Sequence, residues 1–145
     1  DGKGLSQRRG GVMLHSSPGQ ALSVGVDLVE LDRIARAVAR FGDRFLARIY
    51  TPEVLRRYRE RVPELAARFA AKEAVSKALG VGLNHISSHG IGWQEVEVLP
   101  DRFGKPIVYL SGRAQALAEE QRLRTWAISL SHSRDHAIAF VIASG

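Results

Sequence analysis

Cysteine is absent from the 145 residues. That excludes disulfides, thiolate zinc sites and a cysteine nucleophile. The lack of cysteine suits a reducing cytosol, and a cytoplasmic protein is expected; no apolar run approaches the ~18 residues that a bilayer-spanning helix needs, and no membrane partner is expected. Aromatic residues make up only 7% of the chain. Their positions suit a core better than the exposed stacking surface of a nucleic-acid binder, and no nucleic-acid partner is expected. Lysine is scarce as well: 4 of the 21 basic residues are lysine and 17 are arginine.

What the chain has in quantity is positive charge, a formal net +6. Such a balance favours an anionic partner, whether nucleic acid, an acidic protein, a membrane surface or a phosphorylated ligand, without choosing among them. A hydrophobic content of 45% fits a globular protein, and the length allows one domain with a proper core. Residues 1–20, rich in Gly, Ser and Arg, lack the apolar centre of a signal peptide. They are expected to form a flexible extension ahead of a single domain over residues 21–145.

Within that domain the hydrophobic period changes repeatedly. Val24, Val26 and Leu28 share one strand face, and Gly25, Asp27 and Val29 the other. From Leu31 the period becomes helical, with Leu31, Ile34, Val38 and Phe41 on one side and Arg33, Arg36 and Arg40 opposite. Gly42 is expected to end that helix and Asp43 to cap the next turn, with Arg44 and Arg48 extending the basic surface. Thr51-Pro52-Glu53 has the form of a helix start, and the helix is expected to reach about Arg61. The longest helix is expected from Pro63-Glu64 to Leu79, with Gly80 as its C-cap. Residues 81–92 lack a period and predict a loop. Strands are expected over Trp93–Leu99 and Ile107–Leu110, a helix from Gly112 to about Leu123, and a hairpin of Trp126–His132 and His136–Ile142. The order predicts an α+β fold, an antiparallel sheet packed on a long helix.

Three residues stand out chemically. Glu73 and Lys77 lie one turn apart on the long helix, a spacing that ordinarily makes a surface ion pair. Here alanines at 70, 71, 74 and 78 permit close approach of another backbone, and Gly80 and Gly82 remove bulk where the helix ends. Asp27 interrupts an apolar strand, where aspartate is disfavoured; alone, it suits an outward or capping position. Together Asp27 and Glu73 match the one or two carboxylates that Mg²⁺ takes from a protein while water and phosphate oxygens fill its other positions. His132 shares parity with Ile128 and Leu130 and is expected to point inward. The pairs His85/His89 and His132/His136 fall in a loop and across a turn, so neither offers the helical geometry of a zinc site.

GVDLVELDRI, FLARIYTPEVL, RFAAKEAVSKALGVG, FGKPIVYL and ISLSHSRDHAIAFVIA, in this order, closely resemble the holo-acyl-carrier-protein synthases. These are the short, single-domain group of 4′-phosphopantetheinyl transferases, and the resemblance runs from about Val24 to Ile142. It implies transfer of the 4′-phosphopantetheine arm of coenzyme A to a serine of an acidic apo acyl carrier protein, releasing 3′,5′-ADP, in fatty-acid biosynthesis. It implies Asp27 and Glu73 as Mg²⁺ ligands, and Lys77 as a cation for the phosphate charge. Arg68, Ser76, Gly80, Gly104, Pro106 and His132 are implied as coenzyme contacts. Arg33, Arg36, Arg40 and Arg44 are implied as the surface that docks the carrier. The general base stays open between Glu73 and a bound water. The resemblance further implies a homotrimer with interface active sites, Asp27 and Glu73 coming from one chain and His132 from the next. A nucleic-acid-binding domain is the rival reading, and it leaves the two carboxylates unexplained.

Overall fold

The structure is a computed structural model that describes residues 21–83 and 89–145. The expected extension over residues 1–20, His85 and the centre of the expected loop lie outside the described residues. The chain runs β1 (Leu22–Glu30), α1 (Leu31–Phe41), α2 (Asp43–Ile49), α3 (Pro52–Tyr58) and α4 (Val62–Leu79). It continues through a short 3₁₀ turn (Trp93–Glu95), β2 (Val96–Pro100), β3 (Pro106–Leu110), α5 (Gly112–Glu120), β4 (Thr125–His132) and β5 (His136–Ser144). One antiparallel sheet has the order β1-β5-β4; β2 and β3 form a separate antiparallel hairpin. The α+β class expected from the sequence is the observed one.

Helix α4 is the axis of the domain. It is buried on almost every side, from Leu65 through Leu79, with only Glu73 and Lys77 less covered over that span. It packs against β1 and β5 on one side and near β2 and α1 on others, so its apolar residues do not form a single stripe. The sheet face that meets it is made of small residues: Gly25 on β1 and Ala137, Ala139 and Ala143 on β5, together with Val29 and Val141. A Cβ at Gly25 would lie 1.9 Å from the Ala74 carbonyl oxygen. Glycine is therefore required at 25 by the approach of the helix backbone. Ser23 Oγ donates to the Ala78 carbonyl at 2.6 Å and ties the same strand to the next turn.

The opposite sheet face is large and apolar. Val24 pairs with Ile142, Val26 with Phe140 and Leu28 with Ile138. All six are exposed, from 38% at Ile138 to 60% at Leu28. The bulkier of the two strand faces is thus the one that α4 leaves uncovered.

Helix boundaries follow local chemistry. Thr51 caps α3, its hydroxyl accepting from Val54 N at 3.4 Å, with Pro52 at the first position. The helix stops at Tyr58, short of Arg61. Asp43 makes no capping hydrogen bond; its carboxylate instead takes Arg59 Nη1 at 2.7 Å. Gly80 closes α4 at φ 78°, as a left-handed C-cap does. Trp93–Glu95 is a 3₁₀ turn, not the start of a strand. Glu95 holds it there: its Oε1 accepts from Gly92 N at 3.2 Å and from Ala114 N at 3.0 Å, at the start of α5. Helix α5 ends at Glu120, short of Leu123, because Arg122 turns the chain at φ 61°.

Candidate active site

Asp27 lies on the β1 face that packs on α4, with its side chain 17% exposed. An outward or capping aspartate is thereby ruled out. Lys77 reaches across from α4: its Nζ donates to Asp27 Oδ1 at 3.0 Å and to the Val26 carbonyl at 3.1 Å. Two residues fifty positions apart meet because Gly25 lets the strand touch the helix. Glu73 is half-buried on the same helix face as Lys77, one turn nearer the N-terminus.

A divalent cation fits these donors in kind. An inward-facing aspartate, a backbone carbonyl and a glutamate on the facing helix are all hard oxygens. Among the described residues no group of three or more His, Asp or Glu side chains gathers. A metal here would therefore draw most of its ligands from water and substrate, as Mg²⁺ commonly does.

A second set of residues meets elsewhere. Arg68, Gly104, Pro106 and His132 line one cavity of about 430 Å³ with Tyr58, Glu64, Ala67, Pro100, Leu130 and Ser131. Arg68 forms a wall of this cavity. Its Nε donates to the Val98 carbonyl at 2.8 Å, its Nη1 meets Glu64 Oε1 at 2.8 Å, and its guanidinium lies 4.1 Å from the Tyr58 ring centroid. His132 keeps its parity with Leu130, but it is exposed at the cavity mouth and does not point into the core as expected. The cavity lining contains none of Asp27, Glu73 and Lys77.

Two polar residues of α4, one of them the implied coenzyme contact Ser76, are committed to the interior. Lys72 is 2% exposed. Its Nζ donates to the carbonyls of Trp93, at 2.9 Å, and Val96. Burial pushes its pKa down from 10.5 to about 7. Ser76 is also buried, and its hydroxyl donates to the Glu73 carbonyl at 2.7 Å, within its own helix. Gly80 is exposed, with open space where a side chain would begin.

The basic surface is as expected. Arg33, Arg36, Arg40, Arg44 and Arg48 are all exposed on α1 and α2. Sequence reasoning missed Phe41. Helical spacing assigned it to the buried side, yet it is 51% exposed. It is the last residue of α1, Gly42 turns the chain at once, and Arg40 lies 5.2 Å from its ring centroid. Phe41 stands between two hollows, one lined by Arg33, Arg36 and Arg40, the other by Arg44, Phe45 and Arg48.

The family model of the 4′-phosphopantetheinyl transferase superfamily matches residues 23–141. A holo-[acyl-carrier-protein] synthase of Herpetosiphon aurantiacus is 51% identical over 126 residues, covering 86% of this chain and 99% of its own. One from Chloroflexus aggregans is 44% identical, covering 82% and 92%. Among solved structures, the Neisseria meningitidis synthase aligns with a TM-score of 0.72 at 37% identity, covering 83% of this chain and 96% of its own. The Helicobacter pylori synthase, solved in complex with coenzyme A, aligns with a TM-score of 0.72 at 28% identity over 83% and 98%. The chain belongs to the 4′-phosphopantetheinyl transferase superfamily, in its holo-[acyl-carrier-protein] synthase group. It is accordingly an enzyme of the transferase class.

Proposed function

We propose that this chain transfers the 4′-phosphopantetheine arm of coenzyme A to a serine of an acidic apo acyl carrier protein, with Mg²⁺, releasing 3′,5′-ADP. In this reaction the serine Oγ forms a bond to the β-phosphorus of the diphosphate, and the bond from that phosphorus to the bridging oxygen breaks. The serine proton passes to a base, and the leaving 3′,5′-ADP carries away the bridging oxygen. Such a step depends on in-line positioning and on cations placed where negative charge collects. The observation that carries the reading is the meeting of β1 and α4, which sets Lys77 against Asp27 beside Glu73 on the helix.

Asp27 and Glu73 are the proposed Mg²⁺ ligands. Bound there, the ion would supply Lewis-acid neutralisation of the diphosphate. Lys77, one turn beyond Glu73, holds a phosphate oxygen. The cavity of Arg68, Gly104, Pro106 and His132 takes the nucleotide end of the coenzyme, and Ser76 and Gly80 belong to the Lys77 end of α4, where the proposed phosphate site lies.

Arg33, Arg36, Arg40 and Arg44 would steer an acidic carrier and orient its serine. Phe41, standing between the two arginine-lined hollows, gives that partner an apolar anchor. A homotrimer is the proposed assembly, with His132 of one chain completing the Asp27–Glu73 site of another. Its support is the exposed apolar face of Val24, Val26, Leu28, Ile138, Phe140 and Ile142, since faces of this kind mark association surfaces. No helix among the described residues is long and apolar enough to cross a membrane, and the cytoplasm is the proposed setting.

The test mixes the protein with apo carrier protein, coenzyme A and Mg²⁺ and follows the carrier's mass. A gain of one phosphopantetheine arm that disappears with EDTA supports the reading. No gain, with tight and steeply salt-dependent binding to random DNA instead, defeats it.

A further inference from the structure

The contact between Lys77 and Asp27 has its own consequence, and it rests on the metal-dependent reading above. Lys77 Nζ donates to Asp27 Oδ1 and to the Val26 carbonyl. Both acceptors are oxygens of β1, facing the helix, and both are of the kind that a divalent ion coordinates. The lysine side chain is 55% exposed and the aspartate 17%. The carboxylate is therefore held in place, while the ammonium, on a long flexible stem, is the partner free to leave. Ion pairs exposed to this degree are held weakly. Among the described residues Asp27 has no other ion pair. The other polar side chain on that stretch of β1, Ser23, is bonded to the Ala78 carbonyl.

We propose that Lys77 is the resident cation of the Asp27 site, neutralising the carboxylate until a divalent ion replaces it. Metal entry displaces the ammonium, which then becomes available to a phosphate oxygen. A bound diphosphate draws the ammonium away and adds its own oxygens to the metal. Metal and coenzyme thus strengthen each other's binding, and by linkage the effect is the same in both directions. Lys77 would suppress metal binding to the empty protein and direct the ion to the coenzyme-loaded one.

Mn²⁺ binding, read from the electron paramagnetic resonance of the free ion, tests this without turnover, with and without coenzyme A and in the absence of carrier protein. Without coenzyme, Lys77→Met is expected to bind Mn²⁺ about tenfold tighter than the unsubstituted protein, a coupling of ordinary size between linked sites. Coenzyme A is expected to tighten Mn²⁺ by a similar factor in the unsubstituted protein and by much less in the variant. Removing a nearby positive charge could by itself favour the metal, so a second readout follows the ammonium directly. The chain has only four lysines, Lys3, Lys72, Lys77 and Lys105. With lysine labelled at Cε, the NMR signal missing from Lys77→Met is that of Lys77. It should move in step with Mg²⁺ saturation at constant coenzyme A. A variant that binds Mn²⁺ no tighter than the parent, or a Lys77 signal indifferent to Mg²⁺, overturns the exchange. If the unsubstituted protein binds Mn²⁺ with coenzyme A and transfers the arm, that failure is confined to the exchange. If it does neither, the metal-dependent reading falls with it.

Discussion

Helix α4 carries two lysines on flanks that differ completely in surroundings. Lys72 faces the 3₁₀ turn and β2, is 2% exposed, and has its nitrogen bonded to two backbone carbonyls. Lys77 faces β1, is 55% exposed, and meets a carboxylate and one carbonyl. The difference is set by what packs opposite. Carbonyls of a buried turn need donors whatever their charge, and a neutral amine has two hydrogens for two acceptors. A largely buried carboxylate instead holds a half-exposed cation that solvent can help remove. One flank of the helix therefore pins the fold, and the other presents chemistry.

The same substitution at both positions should separate these roles. Lys77→Ala is expected to lower arm transfer by about 10²-fold, the usual scale for losing a cation at developing phosphate charge. Initial rates of carrier modification at saturating coenzyme A would measure it. Lys72→Ala is expected to cost about 2–4 kcal/mol of stability, because it leaves a cavity and two buried carbonyls without donors. Urea unfolding would show the loss.

The buried lysine also predicts a pH dependence. Its pKa falls from 10.5 to about 7 on burial. Between those values the unfolded chain binds a proton that the folded chain does not, so stability rises with pH across that window, and the penalty is complete below it. From pH 7 to 9 the gain should be about 2 kcal/mol. It should vanish in Lys72→Met, as urea midpoints at the two pH values would reveal. Burial raises the pKa of Tyr50, which opposes this trend only at higher pH. The smallest effect falls on the other flank. Lys77→Ala should change stability by less than about 1 kcal/mol, as exposed ion pairs do, with urea unfolding again the measure.

The sequence made one flank more legible than the other. Period-two alternation placed Gly25, Asp27 and Val29 on one strand face, and helical spacing placed Glu73 and Lys77 on one helix face. The alanines of α4 announced a close neighbour. They did not say that the neighbour was Gly25, since that contact joins residues about fifty positions apart and only packing supplies it. Lys72 was not singled out, because its burial depends on a turn about twenty residues away arriving to accept its hydrogens. That turn was itself hidden: Trp93 and Val96 are both buried three residues apart, a spacing that alternation reads as a fault and a 3₁₀ turn accommodates. Phe41 followed the helical period in sequence, but the helix ended on it. The two groups of coenzyme residues, around Lys77 and around His132, were named together on resemblance, and within one chain they belong to different surroundings.

A crystal grown with coenzyme A and Mn²⁺ tests the central claim most directly, through the anomalous scattering of manganese. The account predicts one peak within coordination distance of carboxylate oxygens of both Asp27 and Glu73, with Lys77 Nζ no longer on Asp27. A bound diphosphate whose manganese touches neither carboxylate, with Lys77 still paired to Asp27, would contradict it.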